Sequence, residues 1–261
     1  MSGNLVTLEV EDNVALITMN RPEKRNAFTD AMWAELVEAL EATLARREAR
    51  VAILTGAGGA FTAGVDLASM QMTSDASRET WAVHPFERTM ELLCAFDKPL
   101  IAAADGVGVG FGLTVLLHCD FVYVTPGARF RAPFVRLGVV PEAGASYLLP
   151  AILGHRNAAE VLYAADWIDG ARAVALGLAG ACVASEALLP TARAQAALIA
   201  AQAPEAVRYT KRLVLETRRE QVQAALARER AAFAELIGTP ENLEAVTAFF
   251  QKRPPDFSNL G

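Results

Sequence analysis

Three short runs constrain this chain more than any other feature: Val51-Ala52-Ile53-Leu54-Thr55, Leu100-Ile101-Ala102-Ala103-Ala104 and Phe121-Val122-Tyr123-Val124. A strand with one face in water alternates apolar and polar residues. A short run that is apolar throughout reads as a strand covered on both faces, as in a parallel sheet. Val14 to Met19 reads as a further strand. Helical patterns lie between the runs. Trp33, Leu36, Val37, Leu40 and Leu44 form one stripe of a helix from about Asp30 to Arg47. Thr29 or Asp30 stands in the capping position. Gly112 to Leu117 reads as a second helix. Strand and helix units in alternation predict an α/β fold with mainly parallel pairing.

From about Pro190 the composition shifts to Ala, Arg, Glu and Leu, with no strand signal. Helices are expected near Thr191–Gln202, Glu205–Arg219, Glu220–Ile237 and Asn242–Gln251, the last opened by Thr239-Pro240-Glu241. The expected organisation is therefore a core over residues 1–190 and a helical region over 191–261. With 261 residues, 53% of them hydrophobic, the chain can bury a large core. The net charge of −6, with no basic stripe, argues against nucleic acid as a partner. Asp105, Asp120 and several glycines interrupt Leu100 to Val124, so no membrane span is expected there. Cys94, Cys119 and Cys182 are far apart and lack CxxC spacing, so they read as thiols in a reducing compartment, and no metal site is read. Met1 to Val10 lacks a basic stretch followed by an apolar run, and Ser258-Asn259-Leu260-Gly261 is not a peroxisomal tripeptide signal. A cytoplasmic protein is the expectation.

Three segments carry candidate chemistry. Phe61-Thr62-Ala63-Gly64-Val65-Asp66-Leu67 and Gly106-Val107-Gly108-Val109-Gly110-Phe111-Gly112 are glycine-rich turns. The second leads into an apolar helix, so free N–H groups and the positive end of the helix dipole point at one spot. Either turn alone is equally compatible with tight packing. In the third segment, Pro133 to Tyr147, Glu142 is the sole carboxylate. Apolar surroundings raise a carboxyl pKa and suit the group to proton transfer near neutrality, although an acid after Pro141 can also be a plain surface turn.

Together these segments resemble the crotonase (enoyl-CoA hydratase/isomerase) superfamily, over nearly the whole chain. The pattern Pro133-Phe134-x-x-Leu137-Gly138-x-x-Pro141-Glu142-x-x-x-Ser146-Tyr147 is similar to that of the peroxisomal-type Δ3,Δ2-enoyl-CoA isomerases. The resemblance implies a spiral of ββα units followed by a helical C-terminal region that assembles trimers or dimers of trimers. It implies an acyl-CoA substrate, with no separate cofactor. It assigns an oxyanion hole to the backbone amides of Ala63 and Phe111, with Phe111 standing where the family usually has glycine. The two glutamate positions of the hydratases read Thr114 and Phe134 here, which leaves Glu142 as a single base moving a proton between C2 and C4.

For CoA, the resemblance points to the first loop, with Arg21, Lys24 and Arg25, and to Ala63, Gly64, Val65, Asp66 and Leu67 near the adenine. Gly110 belongs to the same surface. Phe249 and Lys252, within Phe249 to Arg253, are placed to close over the nucleotide, and Lys211-Arg212 forms another cationic pair. Met70, with Met72, Trp81 and Phe86, falls in the region that lines the acyl pocket, where Met adapts to variable chains. His84, His118 and His155 are scattered. The alternatives are hydration, ring isomerisation, and an acyl-CoA-binding module without catalysis.

Overall fold

The computed structural model describes residues 4–67 and 84–260. Met70, Met72 and Trp81 lie outside the described residues. Strands β1 (Val6–Glu11), β2 (Val14–Met19), β3 (Val51–Gly56), β4 (Leu100–Ala104), β6 (Phe121–Val124) and β9 (Ala181–Cys182) form one sheet in the order β1-β2-β3-β4-β6-β9. A smaller sheet has the order β5-β7-β8, from Val107–Val109, Arg129–Arg131 and Ile168–Asp169. β1 runs antiparallel to β2, and the other pairs of the large sheet are parallel, with Leu16, Ile53 and Ile101 in one cross-strand row. The three continuous apolar runs are central strands, as expected.

Side chains along a strand alternate between faces, and this sheet has a separate apolar layer for each set. Ala52, Leu54, Ala102 and Ala104 join the main core, together with Met32, Trp33, Leu36 and Leu40 of the Asp30–Ala45 helix. Val51, Ile53, Ile101 and Ala103 lie under Leu188, Ala192, Ala196 and Ala200, spaced four apart on the Ser185–Ala200 helix. That covering explains why the strands carry no polar face. Thr29 caps the Asp30–Ala45 helix by accepting a hydrogen bond from the Met32 amide.

The Ser185–Ala200 helix contains residue 190, so the change of composition at 190/191 falls inside an element that packs on the sheet. Three helices follow, Pro204–Glu216, Arg219–Leu236 and Pro240–Phe250. They dock on the core through apolar contacts, with Val222, Leu226 and Phe233 against the main core, and through polar ones. Lys211 Nζ donates to Asp120 Oδ2 at 2.7 Å and to the Lys98 carbonyl at 2.6 Å. Asp97 receives Arg208 and Arg212. Asn242 donates to the Leu137 carbonyl at 2.7 Å. No helix among the described residues is long and apolar enough to cross a membrane.

Candidate active site

The small sheet brings the two glycine turns side by side. The Thr62 amide donates to the Val107 carbonyl and the Val109 amide to the Thr62 carbonyl, so residues 62 and 108 form a parallel bridge. Gly64 has φ +79, and a Cβ there would stand 2.4 Å from the Val109 carbonyl oxygen and 3.6 Å from the Phe111 nitrogen. Only glycine permits that approach. Gly110 then turns the chain, and a short helix, Phe111–Thr114, begins at the turn and continues as a 3-10 segment to His118.

The backbone hydrogen bonds decide which amides remain available. The Ala63 amide is not among them: it donates to the Arg25 carbonyl at 2.9 Å. The assignment of an oxyanion donor to Ala63 is therefore corrected. Residue 63 is held against the first loop, whose Arg25 and Asn26 both take left-handed φ. Two residues on, Val65 bridges Phe28 through its neighbours, with Phe28 N donating to Gly64 O and Asp66 N to Phe28 O. The Val65 amide is left without a hydrogen bond among the described residues. The Phe111 amide, at the first position of its helix, is equally free, as first-turn amides are. Among the described residues each turn thus presents a free donor on this surface, Val65 from the first and Phe111 from the second.

The Phe111 ring leaves the turn on the core side. It is fully buried and meets Trp33, Phe28 and Phe86 edge-on, at centroid distances of 4.6, 5.3 and 6.3 Å. A bulky residue is accommodated where a glycine was expected, and its amide is anchored by aromatic packing.

Glu142 reaches the same helix from the loop after the 3-10 turn Phe134–Leu137. Its Oε1 is shielded from solvent and has no hydrogen-bond partner among the described residues. Burial pushes its pKa up to about 8, the charges of Glu229 and Glu87 add to that rise, and the neighbouring Thr114 hydroxyl opposes it. Thr114 is one helical turn beyond the free Phe111 amide. An unsatisfied buried carboxyl of this kind is costly to keep and characteristic of functional sites. The arrangement combines a proton carrier matched to neutral pH with two donors for a developing negative charge. Thr114 and Phe134 are both buried and neither supplies a second acid.

The candidate CoA contacts separate into spent and available groups. Asp66 pairs with Arg21 at 2.8 Å, and Arg21 also donates to the Ala27 carbonyl, so both brace the first loop. Lys211 and Arg212 are committed to Asp120 and Asp97, and Arg253 to Glu244. Lys24, Arg25 and Lys252 are exposed, and none of them forms an ion pair among the described residues. Phe249 is exposed and stacks edge-on with Phe250. Leu67 ends the described part of its turn. Among the described residues no cluster of His, Cys, Asp or Glu could hold a metal ion.

Glu229 and His118 do not stand out as site residues in the sequence, whereas Glu87, like Asp66, is a reserve candidate for the proton carrier. Glu229 lies in Arg228-Glu229-Arg230, which reads as a solvated helix face, yet it is buried and accepts from the Gly144 and Ser146 amides at 2.7 Å each. Glu87 pairs with Arg230, and its charge acts on Glu142. His118 contacts the Ala143 carbonyl at 2.8 Å, and burial pushes its pKa down to about 4, so the ring is neutral.

Two sheets in this order, paired glycine turns and a C-terminal helical region define a crotonase-type fold. The family model for enoyl-CoA hydratase/isomerase matches residues 9–259. A crystal structure of an enoyl-CoA hydratase/isomerase from Pseudoalteromonas atlantica T6c superimposes with a TM-score of 0.90, at 35% identity, covering 97% of this chain and 100% of that one. The 2,3-dehydroadipyl-CoA hydratase of Escherichia coli K12 is 34% identical over 95% of this chain and 96% of its own length. The crotonyl-CoA hydratase of Syntrophomonas wolfei is 33% identical over 98% and 99%. The chain belongs to the enoyl-CoA hydratase/isomerase family.

Proposed function

We propose that this protein is an acyl-CoA isomerase that moves a double bond between C3 and C2 of an enoyl-CoA. The observation that carries this reading is the shielded carboxyl of Glu142 beside Thr114, its Oε1 without a hydrogen-bond partner among the described residues and with no acid at 114 or 134. In the proposed reaction the thioester oxygen lies between the Val65 and Phe111 amides. The Glu142 carboxylate takes a proton from C2, and the electron pair of that C–H bond moves into the dienolate, with its charge on the thioester oxygen. The same carboxyl then delivers the proton to C4, and the double bond comes to rest between C2 and C3. A group titrating near 8 accepts and returns a proton at neutral pH with little energetic mismatch. Lys24, Arg25 and Lys252 are the proposed partners of the CoA phosphates.

Hydration is the second reading, favoured by the hydratase names of the relatives. Addition of water calls for one group to activate the water and another to deliver a proton. Separate incubations with a 3-enoyl-CoA and a 2-enoyl-CoA distinguish the two. The isomerase reading expects interconversion of the two substrates, with deuterium entering C2 or C4 in D₂O. Accumulation of 3-hydroxyacyl-CoA as the main product would replace it with the hydratase reading.

The proposed assembly is a homotrimer or homohexamer, in the cytoplasm. Leu198, Tyr209, Leu213 and Val214 support assembly, since these large apolar side chains are more than half exposed on the C-terminal helices of one chain. Light scattering at micromolar concentration is expected to give the mass of three or six chains, and a monomer would overturn this part of the reading.

A further inference from the structure

We propose that Glu229 is a positioning residue for Glu142: from the Arg219–Leu236 helix it grips the two amides that follow the acid, holding the acid's loop against the Phe111–Thr114 helix. The inference rests on the isomerase reading in taking Glu142 as the proton carrier.

The Glu142–Ser146 loop has an unfavourable backbone. Ala143 has φ +60 and Gly144 φ +73, two consecutive left-handed residues. The left-handed conformation is unfavourable for the non-glycine one, whose Cβ crowds the following carbonyl. Gly144 also occupies the N-cap of the Ala145–Leu153 helix, where it has no side chain to satisfy the first amides. Glu229 supplies that cap from 85 positions away, with Oε2 on the Gly144 amide and Oε1 on the Ser146 amide, both at 2.7 Å. A carboxylate is favoured at a helix N-terminus. From the other side, His118 Nε2 donates to the Ala143 carbonyl at 2.8 Å. The peptide that joins the strained Ala143 to Gly144 is thus held on both sides, its carbonyl by His118 and its amide by Glu229, from two distant parts of the chain.

The grip also sets the charge around the acid. Facing Glu142 are Glu229 from the C-terminal region, Glu87 with its partner Arg230, the Thr114 hydroxyl, and neutral His118 behind Ala143. Burial raises the pKa of Glu229 itself, while its hydrogen bonds from Ser146 and Gly144 and the Arg228 cation favour the ionised form. Removing the Glu229 charge makes the ionised form of Glu142 easier to reach. If Glu142 must be ionised to begin turnover, the rising limb of activity then moves to lower pH. Glu229→Asp, which keeps the charge, separates this electrostatic effect from the grip on the loop.

The test follows the carboxylic C=O stretch of Glu142 by infrared titration, the band being identified by its loss in Glu142→Gln. In the native protein the midpoint is expected near 8. In Glu229→Gln it is expected about one pH unit lower, with kcat reduced roughly 10²-fold, as for a misplaced catalytic group, and KM little changed. An unmoved midpoint in folded Glu229→Gln overturns the proposal. Should that variant fail to fold, Glu229→Asp decides: it keeps the charge but is one methylene too short to hold both amides. A reduced kcat with the native midpoint supports the proposal, and native kcat overturns it. Because the infrared titration reads Glu142 without turnover, failure of this proposal is separable from failure of the isomerase reading, which would show as activity surviving in Glu142→Gln.

Discussion

Glu142→Gln is expected to lower the isomerisation rate by about 10⁴-fold, the upper end of what general acid–base participation contributes, because one group acts twice in each turnover. Glutamine keeps the shape of the side chain and removes the exchangeable proton. Acyl-CoA binding should hardly change, since the Val65 and Phe111 amides and the exposed Lys24, Arg25 and Lys252 are untouched. The variant should be at least as stable as the native protein, because Glu142 Oε1 is a shielded atom with no partner and its charge is disfavoured by burial, Glu229 and Glu87. Turnover, calorimetric binding and deuterium exchange at C2 and C4 together check this. If most of the rate survives, the proton passes through another group. Glu229 acts more strongly on Glu142 but is committed to the Gly144 and Ser146 amides, so Glu87, whose charge also acts on Glu142, is the next acid to replace. Asp66 is already paired with Arg21.

Replacing Val65 by its α-hydroxy acid analogue removes one N–H and leaves the side chain in place. Loss of a single oxyanion donor typically costs roughly 3–4 kcal/mol of transition-state stabilisation, or about 10²–10³ in kcat. The full effect is expected at Val65, whose amide has no other partner among the described residues, with little loss of folding stability. The same change at Ala63 should behave oppositely. There the amide bonds the Arg25 carbonyl, so about 1 kcal/mol of stability should be lost while kcat is largely retained. Denaturant unfolding and steady-state kinetics on the two analogues decide between them. A large kcat effect at 63 and none at 65 would restore the original assignment and exclude the free-amide argument.

The four strands at the centre of the large sheet, the first helix and the three last helices are legible because each rests on a local pattern. Continuous apolar runs marked the central strands, a single stripe marked Asp30–Ala45, and Thr239-Pro240 marked the start of the last helix. The boundary near 190 was less legible, since composition says little about which face a helix covers. Ser185–Ala200 became part of the sheet's cover through Leu188, Ala192, Ala196 and Ala200. The first strand, Val6–Glu11, was not read, because its alternation is weak and only one of its residues is buried.

The candidate site divides along the same line. Glu142 stood out in the sequence because a lone carboxylate in an apolar segment is a local anomaly, and the glycine turns stood out because close backbone approach demands glycine. Which amide in the first turn is free could not be local information, since it depends on a carbonyl 38 positions earlier accepting from Ala63. Charge clusters were ambiguous for the same reason. Lys211 and Arg212 look like a phosphate site until folding brings Asp120 and Asp97 to them, whereas Lys24 stays exposed. Glu229 is the clearest case: within Arg228-Glu229-Arg230 it has the pattern of a solvated helix face, and only the docking of that helix buries it against Gly144 and Ser146. Sequence alone settled residue types and local periodicity, which carry the covalent chemistry and the backbone preferences. Tertiary structure alone settled which polar groups found partners, because hydrogen bonds and desolvation depend on distances between segments far apart in the chain.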